Sequence, residues 1–364
     1  MEAIPFNTLK PQYEKYGNEY LAAAKRVLES GRYILGEELE AFEKEFADYI
    51  GSKYCVGLAS GLDALTLALM ALDIKVGDEV IVPANTYIAT VLAVTNLGAT
   101  PIFVEPDEYF GIDVDRIEDA ITAKTKAILP VHLYGQACAM DRVMEIAKRH
   151  NLYVVEDCAQ SHGVAYKDKK TGTFGIIGCF SFFPTKNLGA FGDAGGIVTD
   201  DETIARKIKI LRNYGSEKKY INDVSGVNSR LDELQAALLR VKLRHLDELT
   251  KERQKIAYYY LENMKSETIT FPQQRADSTH CWHLFVIRHQ KRDLWQKKLD
   301  QHGISTQIHY PIPPHLAKAY NHLGYKKGDF PKAEEYAGTI LSLPLYNGMP
   351  FDSYKKVVDV IGGV

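Results

Sequence analysis

The chain has 364 residues, with 44 lysines and arginines against 47 aspartates and glutamates, and a formal net charge of −3. This balance, without a block of basic residues, excludes the electrostatic footprint expected of a nucleic-acid-binding protein. The mean hydropathy is −0.21 and no run of about 18 apolar residues occurs, so the sequence predicts no membrane span. With 46% hydrophobic and 25% charged residues, the composition is that of a globular protein long enough for two domains.

The cysteines stand singly in or beside apolar stretches, at Cys55, Cys138, Cys158, Cys179 and Cys281. Their odd number and the lack of a CxxC pair favour buried reduced thiols over a metal site or a disulfide framework. The first residues, MEAIPFNTLKPQYEKYG, lack the basic-then-apolar layout of a signal peptide. Both features predict a cytoplasmic protein.

Two segments near the start, 18–30 and 36–50, repeat apolar residues at helical spacing. Short apolar runs then alternate with helical stretches; the runs are 80–83, 102–105, 127–133 and 154–157, and the helical stretches lie near 62–72, 86–97, 113–122 and 139–150. This alternation predicts βαβ units and therefore an α/β fold with a mainly parallel sheet and helices on both faces.

The pattern changes from Ser229 onwards. The residues SRLDELQAALLRVKLRHLDELTKERQKIAYYYLENM predict one long helical stretch, with Ser229 or Asp232 as its N-cap. Strand-like segments follow near 281–287 and 304–310, with a helix around 291–302 between them and two further helices after a proline-rich turn. We therefore predict a large α/β domain over residues 1–240 and a smaller C-terminal α+β domain over residues 241–364.

Two motifs offer ionisable side chains at strand ends. In FGIIGCFSFFPTKNLGAFGDAGG, residues 174–196, an aromatic strand ends at Pro184 and leaves Lys186 among glycines that let the backbone approach a ligand. A lysine is ordinarily a solvated surface residue, but restricted solvent makes its amine easier to deprotonate, as a Schiff-base amine requires. In YVVEDCAQSHG, residues 153–163, Asp157 ends a strand where parallel sheets place their ligands, although a helix N-cap is the alternative.

Two further motifs complete the set. The Ser60–Gly61 turn in LASGLDALTLALMAL presents helix N-terminal N–H groups that suit a phosphate, although glycine before a helix is common. Tyr87 in PANTYIATVLAV follows a strand, where an aromatic residue packs by default. Together, an amine, a carboxylate, a phosphate-binding turn and an aromatic ring on one sheet edge match the requirements of pyridoxal phosphate (PLP).

In combination, these motifs resemble the DegT/DnrJ/EryC1 family of sugar-nucleotide aminotransferases, which have the aspartate-aminotransferase fold, fold type I. Six segments occur in the same order as in the family: SGLDALTLAL, GDEVIVPANTYIAT, PVHLYGQACAMD, VVEDCAQSHG, FSFFPTKNLGAFGDAGG and GVNSRLDELQAALLRVKL. The resemblance extends from about residue 4 to the C-terminus. It implies a PLP-dependent transaminase with pyridoxamine phosphate (PMP) as an intermediate form, and a homodimer whose active sites are shared between subunits.

The resemblance implies roles for four residues around the cofactor ring. Lys186 would be the Schiff-base lysine and Asp157 the partner of the pyridinium nitrogen. Gln160 would hydrogen-bond the ring hydroxyl, and Tyr87 would stack on the ring. His162 is expected to be structural or to position substrate, because Lys186 already supplies the general base.

For the cofactor phosphate, the resemblance implies Gly61, Leu62 and Ser181, joined by Asn228 of the other subunit. Leu62 stands where other members have threonine, so only its backbone N–H is available to the phosphate. Thr185, before the lysine, stands where many members have glycine. For the sugar and pyrophosphate, the implied contacts are Tyr33, Tyr214, Tyr220, His309 and Tyr310, although aromatic residues in such places often only pack.

The ASGLDAL turn, the GRYILGEELEAFE opening and the NYGSEKKY stretch are more similar to the members that aminate C3 of the sugar than to the C4 members, which more often have NGT at the turn. This implies conversion of a dTDP-3-keto-6-deoxyhexose to a dTDP-3-amino-3,6-dideoxyhexose, with L-glutamate as amino donor. The alternative is C4 amination of a 4-keto-6-deoxy sugar nucleotide.

Three other functions are disfavoured. Sugar dehydratases related to this family have histidine in place of the lysine, so Lys186 argues against them. A non-catalytic regulator on the same fold is disfavoured by the intact lysine and by the lack of a basic helix-turn-helix segment. A dinucleotide-binding dehydrogenase requires GxGxxG in the first βα turn, and SGLDAL does not provide it.

Overall fold

The computed structural model describes residues 3–362. Its α-helices are α1 (Lys10–Ser30), α2 (Glu37–Ile50), α3 (Gly61–Ala71), α4 (Ile88–Thr95), α5 (Met140–His150), α6 (Glu202–Leu211), α7 (Glu233–Arg244), α8 (Leu246–Asn263), α9 (Arg292–Gln301), α10 (Pro331–Thr339) and α11 (Phe351–Gly362). Its strands are β1 (Tyr54–Leu58), β2 (Glu79–Pro83), β3 (Thr100–Val104), β4 (Thr125–Ile128), β5 (Tyr153–Asp157), β6 (Ala165–Tyr166), β7 (Lys169–Lys170), β8 (Ile177–Ser181), β9 (Gly195–Thr199), β10 (Phe285–Arg288) and β11 (Ile340–Leu343).

The main sheet has seven strands in the order β1-β9-β8-β5-β4-β2-β3. Strand β9 is antiparallel to both of its neighbours, whereas the block from β8 to β3 is parallel throughout. Because parallel strands end at the same edge of a sheet, the segments that follow β5 and β8 are brought side by side.

Helices cover both faces of this sheet. Because successive side chains in a strand point to opposite faces, Val80 and Val82 pack with α3, α4 and α6, whereas Ile81 packs on the other face with α5. Helix α2 adds aromatic residues to that second face, beside β1 and β8. The predicted α/β fold, with a mainly parallel sheet buried on both faces, is confirmed.

The C-terminal part is built around the antiparallel pair β10–β11, which α8, α9 and α11 cover with an apolar cluster. The predicted long helix is two helices, α7 and α8, separated at His245. The predicted strand at 304–310 is wrong: the segment makes isolated bridges at Ile304 and Gln307. It then leaves the sheet and carries His309 and Tyr310 to the cavity described below.

The segment predicted as a helix at 113–122 differs from that prediction. It forms two short 3₁₀ segments, Val114–Arg116 and Glu118–Ala120. Within residues 3–362, no helix has both the length and the apolar character needed to cross a membrane. The division of the chain into domains after residue 240 remains a prediction.

Candidate active site

A cavity of about 370 Å³ opens where β5 and β8 end, beside the N-terminus of α3. We call it the central cavity. Nine of the predicted site residues line it: Gly61, Leu62, Tyr87, Asp157, Gln160, Ser181, Lys186, His309 and Tyr310. The topology of the sheet therefore gathers residues that are up to 249 positions apart, from Gly61 to Tyr310, around one space.

Lys186 lies in the turn that follows β8, where its backbone N–H donates to the carbonyl of Phe183 at 2.8 Å. Among residues 3–362, no side chain or carbonyl forms a hydrogen bond or an ion pair with its Nζ. Burial lowers the pKa of Lys186 to about 8, although the negative charge of Asp157 opposes this shift. A neutral amine, which is the nucleophilic form, is therefore accessible near neutral pH.

Asp157 is the last residue of β5, and its carboxylate is buried. Oδ1 accepts a hydrogen bond from the Ala159 N–H at 3.1 Å, and Oδ2 accepts one from the Thr90 hydroxyl at 2.9 Å. Burial raises the pKa of Asp157, while these two hydrogen bonds and the charge of Lys186 act in the opposite direction. No helix begins within residues 158–164, so the carboxylate is not a helix N-cap and is available to a cation in the cavity.

The N-terminus of α3 forms the part of the cavity suited to an anion. Ser60 is its N-cap, and the Ser60 hydroxyl accepts a hydrogen bond from the Asp63 N–H at 3.1 Å. A Cβ on Gly61 would lie 2.5 Å from the Ser181 Cβ, so only glycine permits β8 to approach the helix this closely. The first N–H groups of α3, at Gly61 and Leu62, and the Ser181 hydroxyl consequently share one corner of the cavity.

Gln160 and the two tyrosines occupy the other side of the cavity. The buried Gln160 amide accepts from the Tyr134 N–H at 2.7 Å and donates to the Tyr310 hydroxyl at 3.3 Å. The rings of Tyr87 and Tyr310 are 5.0 Å apart at an angle of 35°, and Tyr87 is half exposed. His309 lies beside them, and burial lowers its pKa to about 4, so its imidazole is neutral.

Four of the residues expected to contact substrate or cofactor do not line the central cavity: Tyr33, Tyr214, Tyr220 and Asn228. All four are exposed on this chain, and Tyr220 has 87% of its surface accessible. Asn228 was expected to serve the other subunit's site, and this role, like those of the three tyrosines, remains a prediction.

Two buried polar residues next to the site, His162 and Glu156, do not line the central cavity. His162 is fully buried against Phe180 and Phe182, and neither ring nitrogen has a hydrogen-bond partner within residues 3–362. Burial lowers the pKa of His162 to about 3, so its imidazole is neutral, and its expected role, structural or substrate-positioning, remains a prediction. Glu156 accepts N–H hydrogen bonds at 2.7–2.8 Å from Gly172, Phe174 and Gly175, and a fourth from the His132 ring at 3.0 Å.

Sequence reasoning missed Thr90, Asn187 and His283. The Thr90 hydroxyl donates a hydrogen bond to the carboxylate of Asp157, and His283 lines the central cavity. Asn187 hydrogen-bonds His283 at 3.1 Å. The only sequence signal for His283 is a histidine directly before the apolar run LFVIR, which is typical of a strand start.

The side chains and backbone groups that line the central cavity fit PLP. The unpaired amine of Lys186, the buried carboxylate of Asp157 and the tight glycine-lined start of α3 match the aldehyde, ring nitrogen and phosphate of this cofactor. Fold and site together define a fold type I PLP-dependent transferase.

Known proteins show to which family of these transferases the chain belongs. Residues 14–362 match the DegT/DnrJ/EryC1/StrS aminotransferase family, and the chain belongs to that family. A dTDP-3-amino-3,6-dideoxy-α-D-galactopyranose transaminase of Aneurinibacillus thermoaerophilus is 51% identical over 359 residues, which cover 98% of each chain. A dTDP-3-amino-3,4,6-trideoxy-α-D-glucose transaminase of Streptomyces venezuelae is 47% identical over 360 residues, covering 98% of this chain and 95% of the relative.

Solved structures agree with this assignment. DesV of S. venezuelae, in complex with a ketimine intermediate, superposes with a TM-score of 0.98 and is 46% identical over 100% of this chain and 98% of its own. NtdA of Bacillus subtilis, with bound cofactor PMP, has a TM-score of 0.91 and 32% identity over 99% of this chain and 85% of its own. The predicted family and aminotransferase activity are thereby confirmed.

Proposed function

We propose that this protein transfers an amino group from L-glutamate to a dTDP-3-keto-6-deoxyhexose and yields a dTDP-3-amino-3,6-dideoxyhexose. The observation that carries the proposal is the convergence of Lys186, Asp157 and the N-terminus of α3 on one cavity. The C3 position and the dTDP group are supported by the relatives at 51% and 47% identity, both of which are named for 3-amino dTDP-sugars. These relatives favour C3 over the C4 alternative.

We propose that the backbone N–H groups of Gly61 and Leu62 and the Ser181 hydroxyl hold the cofactor phosphate. Asn228 of the other subunit would complete this phosphate site. Asp157 would hold the pyridinium nitrogen, where a carboxylate favours the protonated ring. When bound, PLP supplies an electron sink that makes the α-proton of an amino acid removable. Gln160 and Tyr87 would fix the ring in the plane that this chemistry requires.

Lys186 would hold the cofactor covalently and be released when glutamate binds. Its amine would then take the proton from the α-carbon of the amino acid and return it to C4′ of the cofactor. The lowered pKa of Lys186, about 8, suits both parts of this proton transfer near neutral pH. The same residues, acting in reverse order on the keto-sugar, would deliver the amino group to C3.

We also propose a cytoplasmic homodimer with shared active sites. The exposed positions of Tyr33, Tyr214, Tyr220 and Asn228, away from the central cavity of their own chain, support a role at the partner's cavity. The cysteines, all buried and unpaired, suit a reducing compartment.

A panel of keto-sugar nucleotides, incubated with the protein, PLP and L-glutamate, tests the proposed substrate. NMR of the product is expected to show nitrogen on C3 of a dTDP-linked 6-deoxyhexose. Nitrogen on C4, or turnover with a 4-keto-6-deoxy sugar nucleotide alone, would contradict the C3 assignment but not the aminotransferase activity.

Borohydride reduction tests the role of Lys186. Reduction is expected to fix the cofactor on the peptide that contains Lys186, and Lys186→Ala should abolish this attachment. Lys170→Ala is a matched control, because burial also lowers the pKa of Lys170 but its Nζ bonds the Tyr49 carbonyl outside the cavity. Attachment that persists in Lys186→Ala would assign the nucleophile to another lysine.

A further inference from the structure

The residue after the lysine, Asn187, is buried and uses both ends of its side-chain amide. Its Nδ2 donates to the Cys281 carbonyl at 2.9 Å, and its Oδ1 bonds Nδ1 of His283 at 3.1 Å. Both partners belong to residues 281–283, which we call the strap. The turn that carries Lys186 is therefore tied to a segment more than 90 positions further along the chain.

The strap is itself held rigidly. The buried guanidinium of Arg253 donates to the carbonyls of Trp282 at 2.8 Å and His283 at 2.7 Å, and also to that of Leu345 at 3.0 Å. The Cys281 N–H donates to the Gly135 carbonyl at 2.8 Å. Because the strap has no strand or helix pairing of its own, these bonds fix its backbone.

The hydrogen bonds also define the state of the His283 ring. Because Nδ2 of Asn187 donates to Cys281, the amide oxygen must face His283, and the ring must donate from Nδ1. Burial, and then the charge of Lys186, lower the pKa of His283 well below its usual range. His283 is therefore a neutral imidazole that lines the cavity beside Lys186 with its Nδ1–H bonded to Asn187.

We propose that Asn187 and His283 are positioning residues for Lys186, and that together they hold the lysine turn against the strap. This inference rests on the proposed function, in which the Lys186 amine would leave the cofactor in the half-reaction with glutamate, move protons in both halves, and rejoin the cofactor at the end of the half-reaction with the keto-sugar. A turn tied to the strap through Asn187 restricts the Lys186 amine to positions from which it can reach the reacting atoms, and such restriction raises the rate of proton transfer.

The first test uses the cofactor-free protein, so its result does not depend on transamination. Acylation of Lys186 is followed against pH by peptide mass spectrometry, and the wild-type midpoint is expected near pH 8. In Asn187→Ala and His283→Ala, a loosened turn admits water to the amine, and the midpoint should rise by about one pH unit. Since His283 is neutral, its removal does not change the local charge.

Two further variants separate positioning from other effects. In His283→Asn, the new side-chain Nδ2 replaces the ring Nδ1 as the donor to Asn187, so the midpoint should stay near the wild-type value. His315→Asn is the matched control: His315 is buried, but its ring bonds Glu334 at 3.2 Å and packs on Phe330, and it neither contacts the strap nor lines the cavity. Its midpoint should also be that of the wild type.

Only His283 is changed in these histidine variants among the ionisable groups that act on the amine or line its cavity, which are Tyr87, Asp157, His162, Asp193, Cys281, His283, His309 and Tyr310. In the PLP-loaded protein, kcat of Asn187→Ala and His283→Ala should fall about tenfold while KM for glutamate changes little, and His283→Asn should restore most of the loss. This split distinguishes positioning from loss of substrate binding.

The proposal is overturned if the labelling midpoint is unchanged in both alanine variants, or if His283→Asn behaves like His283→Ala. Should His283→Ala fail to fold, as judged by circular dichroism, Asn187→Ser gives the same test with a smaller change. A protein that transaminates no keto-sugar but shows these midpoint shifts would contradict the proposed function and leave the positioning role in place.

Discussion

The Thr90 hydroxyl donates a hydrogen bond to Asp157 Oδ2 at 2.9 Å, and Thr90 in turn bonds the Thr86 hydroxyl at 2.7 Å. Because Asp157 is buried, its ionised form depends on such donors. Thr90 lies in the first turn of α4, so this helix fixes the orientation of a carboxylate that belongs to the central sheet.

Replacing Thr90 with the isosteric valine should remove this donor. We expect the pKa of Asp157 to rise further and turnover to fall about tenfold, since a hydrogen bond to a charged group contributes about 1.5–3 kcal/mol. Steady-state kinetics across pH 6–9 would measure the effect. Thr95→Val is the matched control in the same helix, because the Thr95 hydroxyl bonds the Val91 carbonyl and not Asp157. Equal losses in both variants would contradict the role of Thr90.

Neutralising the adjacent carboxylates Asp157 and Glu156 should have different effects, one on activity and the other on stability. Asp157→Asn should preserve the fold but lose most transamination, since an amide no longer favours the protonated cofactor ring. Glu156→Gln should instead destabilise the fold by about 3 kcal/mol, because the new NH₂ group faces buried N–H donors. Denaturant unfolding and turnover, measured on both variants, would check this. Near-wild-type turnover of Asp157→Asn would refute its role.

The sequence was sufficient to predict the parallel part of the sheet and nine residues that line the central cavity, for a physical reason. Strands buried on both faces appear as short apolar runs, and their carboxyl ends must meet at one edge. Asp157 ends one such run and Lys186 follows another, so their proximity follows from topology. The start of α3 was predictable from the Ser60–Gly61 turn in the same way.

What the sequence did not show depends on contacts between distant segments. The hydrogen bond of Asn187 to His283 joins positions 96 apart, and nothing local to either residue indicates it. The strand predicted at 304–310 failed because an apolar alternation is compatible with a segment that pairs at single bridges and then bends into a cavity. The long helix was predicted because helical periodicity continues in the sequence across His245, whereas in the structure α7 ends and α8 begins there.

Gly61→Ala should disrupt the proposed phosphate site, because the new Cβ would overlap with Ser181. A Cβ at this position would lie 2.5 Å from the Ser181 Cβ and 3.0 Å from its Cα, so the helix start and β8 must separate. We expect a loss of stability of about 1–3 kcal/mol and a PLP Kd at least tenfold higher. Thermal unfolding and fluorescence titration with PLP would measure the two effects. The double variant Gly61→Ala, Ser181→Gly should recover part of the stability, and no recovery would contradict the steric explanation.

Lys242 provides a pH-dependent prediction about stability. This residue of α7 is buried, and its Nζ donates to the Gly189 carbonyl at 3.3 Å without a carboxylate partner within residues 3–362. Burial lowers its pKa to about 7, and the nearby Arg253 adds to this shift. In the unfolded chain the amine keeps its ordinary, higher pKa, so between these two pKa values the unfolded state binds more protons than the folded state. The free energy of unfolding must therefore rise with pH above about 7, by at most about 1.4 kcal/mol per pH unit for one group.

Lys242→Met should remove this contribution. We expect the variant to be more stable than the wild type at pH 7 and to gain about 1–2 kcal/mol less between pH 7 and 8.5. Lys186, whose pKa is also lowered, contributes in the same direction above pH 8 in both proteins, so the difference between them isolates Lys242. Lys207→Met, which removes a surface lysine paired with Asp73, is the control and should leave the slope unchanged. Urea unfolding at pH 7, 7.5, 8 and 8.5 measures the slopes; parallel slopes for wild type and Lys242→Met would show that Lys242 keeps its proton in the folded protein.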